Sequence, residues 1–113
     1  MFGIEKDLED IEKEFALERI RNRITDLTML SATYNNNYNS FSVQNDLAIL
    51  DKIIDFVERS KSLLELKYTE DVWYIMAELY NLKQMLTHQN IYTLDVIRKE
   101  INEIIEYANK HLV

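Results

Sequence analysis

Residues 11–24 read IEKEFALERIRNRI, and the apolar positions along them change sides halfway. At about 100° per residue in an α-helix, Ile4, Leu8, Ile11 and Phe15 fall within about 40° of the line through Ile4, whereas Leu17, Ile20, Ile24 and Leu27 cluster about 140° to 220° away. A straight helix cannot point both stripes into one core. Ala16, Leu17, Glu18 and Arg19 are good helix formers and no Gly or Pro intervenes, so local propensity favours continuity through the change. Either the helix kinks or breaks near Ala16 and folds back over the bundle end, or its terminus frays, or residues 1–15 project and bury their stripe against a partner.

Charge changes at the same place. Residues 1–18 hold seven acidic side chains against two lysines, and Arg19, Arg21 and Arg23 follow directly. Arginines at i and i+4 share a helix side, so Arg19 and Arg23 are expected together with Arg21 pointing elsewhere. Ile4, Leu8, Ile11 and Phe15, spaced like a short a/d seam, together with Arg19 and Arg23, are the first interface candidates. The simplest partner is a second copy of the chain, whose antiparallel pairing sets the acidic half against the arginines.

Outward from this stretch, the apolar spacing is helical nearly everywhere, and one glycine with no proline leaves little material for the turns of a sheet. The expectation is an all-α chain, an antiparallel up-down-up-down four-helix bundle. Its first helix covers about 4–34 and ends at NNNYNS (35–40); the others cover about 43–67, 70–88 and 94–112. Ser42 is the expected cap of the second helix, which carries Val43, Leu47, Leu50, Ile54 and Val57 on one seam. YTEDVW (68–73) and YTLDVI (92–97) repeat one start device: Thr69 or Thr93 as cap, acids on the positive helix end, and Tyr68 or Tyr92 stapled onto Trp73 or Ile97. At about 1.5 Å per residue, a first helix of this length outruns the third and fourth by about twelve residues, and that overhang coincides with the first stripe.

Composition narrows the function classes. The chain has 113 residues, enough for one domain with one modest core. Thirteen basic against twenty acidic residues, net −7, repel phosphate backbones and anionic membranes, so neither nucleic acid nor a membrane is an expected partner. No cysteine is present, which removes disulfides and thiolate chemistry. The start, MFGIEKDLED, lacks the layout of a secretory signal, and a cytoplasmic protein is expected. Ten Asn and thirteen Ile fit an AT-rich coding sequence, as in low-GC bacteria and their phages.

Motifs for chemistry are sparse. His88 and His111 sit near helix ends, and neither an HExxH nor a Glu-x-x-His pattern occurs, so no metal ligands are assigned. No Gly-rich loop cradles a phosphate, and no cofactor or catalytic residue is assigned. The glutamates Glu9/Glu12 and Glu100/Glu103/Glu106 form i, i+3 ladders that could hold Mg²⁺. All-α nucleotide pyrophosphohydrolases of the MazG type use paired E-x-x-E and E-x-x-D helices, and E9DIE12 and E100INE103 resemble half of that pattern, but no E-x-x-D occurs. That hydrolase is the competing reading to a protein that works by binding other proteins, as adaptors, immunity proteins or inhibitors do. The loop TYNNNYNSFS (33–42) carries Tyr34, Tyr38 and Phe41 without a base, so its aromatics are expected to cover the bundle end. In the third helix Val72, Ile75, Met76, Leu79 and Leu86 make the core line, with Trp73, Ala77 and Tyr80 about 100° away. A core or staple role is preferred for Trp73, while Trp73 and Tyr80 also complete the interface candidates.

Overall fold

The computed structural model describes the backbone of residues 2–88 and 91–113, and the side chains of 11–13, 15–88 and 91–113. The chain is all-helical, with no strand among the described residues. Its four α-helices are α1 (Phe2–Thr25), α2 (Ser40–Ser60), α3 (Thr69–Thr87) and α4 (Leu94–His111). Helix α1 packs against both α2 and α4, α2 packs against α3, and α3 packs against α4.

One core joins the four helices. Ile20 and Ile24 of α1, Leu50 and Val57 of α2, Ile75, Leu79, Leu82 and Leu86 of α3, and Ile97 and Ile101 of α4 are all fully buried. Each such side chain contributes about 1.5–3 kcal/mol of hydrophobic free energy, which makes this cluster the dominant stabilising term.

The boundaries correct several expectations. The first α-helix ends at Thr25, not near 34. It gives way to a 3-10 turn at Asp26–Met29, an extended Leu30 and a second 3-10 turn at Ser31–Thr33. Three threonine hydroxyls donate to nearby carbonyls there, Thr25 to Arg21, Thr28 to Thr25 and Thr33 to Leu30, and so compete with regular helix. Leu27 and Leu30 stay buried because a three-residue spacing suits a 3-10 turn as well as an α-helix. Helix α2 begins at Ser40, capped by the Asn39 side chain accepting from the Ser42 amide, so Asn39 replaces Ser42 as cap. It ends at Ser60, and 3-10 turns at Lys61–Leu63 and Leu66–Tyr68 carry the chain to α3. Thr69 is already helical and caps nothing, whereas Thr93 caps α4 by accepting from Val96.

Helix α1 runs unbroken through Ala16, so the chain does not break there. Ala16 is its first buried described side chain. Ile20 and Ile24 follow it into the core with Leu17 packed at the edge, whereas Ile11, Glu12, Lys13 and Phe15 are exposed. The side chains of Ile4, Leu8 and Glu9 lie outside the described residues.

Candidate interaction surfaces

The first surface lies along α1. Ile11 and Phe15 stay 44% and 43% exposed, in the stretch that leads directly into the core at Ala16. Farther along, Arg19 and Arg23 line a shallow groove with Asn22, Asp26 and Phe56. The Arg23 guanidinium sits 4.9 Å above the Phe56 ring and 3.3 Å from Asp26. Arg21 turns the other way and donates to the Leu112 carbonyl at 2.6 Å. The groove therefore joins a cation to an aromatic ring.

The second surface is the outer face of α3. The expected core or staple role of Trp73 is corrected, since this side chain is 71% exposed. Tyr68, its intended partner, is buried and donates its hydroxyl to the main-chain oxygen of Val113 at 2.6 Å. Val72, Ile75, Met76 and Leu79 already fill the inward face, so Trp73, Ala77 and Tyr80 are left outward. A cleft of about 180 Å³ between Leu64, Tyr68 and Trp73 is too small for most drug-sized ligands.

Beside that face, the boundary between α3 and α4 is lined by acids and aromatics. Tyr107 donates to Asp71 at 2.8 Å, its ring lies 4.2 Å from Tyr74 and 4.1 Å from His111, and His111 Nδ1 is 3.8 Å from Asp71 Oδ1. The bond to Asp71 pushes the Tyr107 phenol up to about 12. One turn on, Glu78 of α3 meets Glu100 of α4. Burial first, then the hydrogen bond and charge of Glu78, push the Glu100 carboxyl up to about 8. The buried Oε1 of Glu100 meets no donor, and a protonated Glu100 satisfies the pair by donating to Glu78. The charges of Glu78, Glu100 and Glu103 all raise the Tyr74 phenol, with Glu78 the largest.

The structure brings together some expected groups and separates others. Arg19 and Arg23 share one groove, and Trp73 and Tyr80 are both exposed on α3. Of the glutamate ladder on α4, Glu100 turns inward to Glu78 while Glu103 and Glu106 are exposed, as is Glu12 on α1. Among the described residues, no group of three or more His, Asp or Glu side chains is placed to hold a metal ion. In the loop, Tyr38 covers the bundle end, donating to the fully buried Asp46 at 2.8 Å, but Tyr34 and Phe41 are exposed. Asp46 also accepts from the amides of Ser31 and Ala32 at 2.8 and 3.1 Å. Sequence reasoning passed over Asp46 and the α3–α4 row. The signals were an acid between Val43 and Leu50 on a core line, and the facing spacings Asp71/Tyr74/Glu78 and Glu100/Glu103/Tyr107.

Among the described residues no helix is long and apolar enough to cross a membrane. No family model, curated protein or solved structure matches this chain.

Proposed function

We propose that this chain is a cytoplasmic protein-binding module, of the adaptor, immunity or inhibitor kind, that self-associates through its first helix and performs no catalysis. The observation that carries the reading is the exposure of Ile11 and Phe15 on a helix that continues into the core from Ala16. A continuous helix whose apolar stripe turns away from its own core serves a second surface. The bundle is up-down-up-down, a reading supported by the short connections and by the way each helix touches its sequence neighbours while α1 also meets α4. In an antiparallel pair of first helices, the acidic half of one copy is set against Arg19 and Arg23 of the other, with Ile11 and Phe15 in the apolar seam.

Light scattering on the full chain and on an Ile11→Ala/Phe15→Ala variant tests this. The full chain is expected at twice 13.5 kDa and the variant at 13.5 kDa. Equal monomer masses for both would remove the self-association.

A further inference from the structure

We propose that the outer face of α3, with the acidic row beside it, is the docking site for a cationic amphipathic segment of another protein. The inference rests on the reading of this chain as a protein-binding module and supplies the chemistry of the partner. The apolar half of the site is Trp73, Ala77 and Tyr80, which lie within about 60° of one another around the helix and are all exposed. Trp and Tyr offer large rigid contact area with a polar tip, the composition that dominates binding energy at interfaces.

Charge selects the occupant. Helix α3 carries Glu70, Asp71 and Glu78 against one lysine, Lys83, and Asp51 holds that lysine at 2.9 Å. Lys61, which lines the cleft with Trp73, is held by Glu58 at 2.7 Å, and Lys99 stands 4.0 Å from Glu103. Glu70 and Glu78 form no ion pair among the described residues. The half-exposed Tyr74 ring stands beside the charges of Glu78 and Glu103. An aromatic face ringed by carboxylates attracts a lysine or arginine through both its quadrupole and the Coulomb field. A second copy is a poor occupant, because a two-fold interface would set these acids against themselves. A phosphate backbone is excluded by the same sign of charge.

The chain has a single tryptophan, so Trp73 emission reports on this face alone. The full-length protein is titrated with three synthetic peptides of equal length: an amphipathic Leu/Lys helix, its Leu/Glu counterpart, and a Ser/Lys peptide with the same charge and no apolar face. The Leu/Lys peptide is expected to give a saturable blue shift, with the other two weaker by about tenfold or more. Glu70→Lys/Glu103→Lys, at two exposed positions, is expected to weaken the Leu/Lys peptide about tenfold, and Tyr80→Ser to weaken it with the charges intact, both at unchanged helical circular dichroism. No saturable response, an equal response to any two peptides, or binding indifferent to charge reversal overturns the proposal. A monomer that still binds the Leu/Lys peptide sinks the self-association and leaves this site standing.

Discussion

Two carboxyl groups show how much one residue can decide. Asp46 is fully buried on α2, yet the two amides and one phenol that donate to it replace most of its lost water. Removing it strands three donors, so Asp46→Ala is expected to lower stability by about 2–4 kcal/mol in urea unfolding. Asp46→Asn, which keeps one acceptor oxygen, is expected to lose less; equal losses would show that the acceptor is irrelevant. Glu100 is the opposite case, a carboxyl that holds its proton. Unfolded, it loses the proton near 4.5, and folded it holds it up to about 8 against Glu78 and Glu103, with Tyr74 alongside. The folded state binds the extra proton between those values, so this contribution to stability is whole below pH 4.5 and fades as pH rises through 8. Glu100→Gln is expected to flatten that slope, its melting temperature gaining on the wild type by about 2–5 °C between pH 5 and pH 8. A gap that stays constant with pH would mean that Glu100 titrates normally.

At the scale of elements, the sequence pattern was most legible where a segment runs several turns. The four helices, the cap at Thr93 and the burial change at Ala16 follow from periodicity and side-chain chemistry. The joints were not legible, because over a single turn the spacing of Leu27 and Leu30 cannot separate a 3-10 turn from an α-helix. Among the closely spaced candidates in NNNYNSFS, the choice of cap depended on where α2 could enter the core. Trp73 misled because the staple rule reads local order only, whereas the inward face of α3 was already full. Exposure now separates three apolar positions by their energetics. Ile24→Ala is expected to cost about 2–5 kcal/mol, but Phe15→Ala and Trp73→Ala each less than about 1 kcal/mol, in thermal or urea unfolding of the monomer. A loss at Phe15 or Trp73 equal to that at Ile24 would place that side chain in the core.

For the whole molecule, the net charge of −7 and its uneven placement govern encounters. If the first helices pair by setting acids against Arg19 and Arg23, the dimer is expected to dissociate more readily as salt rises, read by light scattering across an ionic-strength series. A dimer tightened by salt would assign its stability to the apolar seam alone. The contact of α1 with α4 has a different kind of consequence. Arg21 meets the Leu112 carbonyl across 91 residues, and closing so long a loop of free chain costs about 2–3 kcal/mol more entropy than a short turn. Once α2, α3 and α4 are docked, the same closure spans folded helices and most of that penalty is gone. The last seam of the ring is thus conditional on the other three, which ties the bundle into a single cooperative unit rather than a stack of separable hairpins.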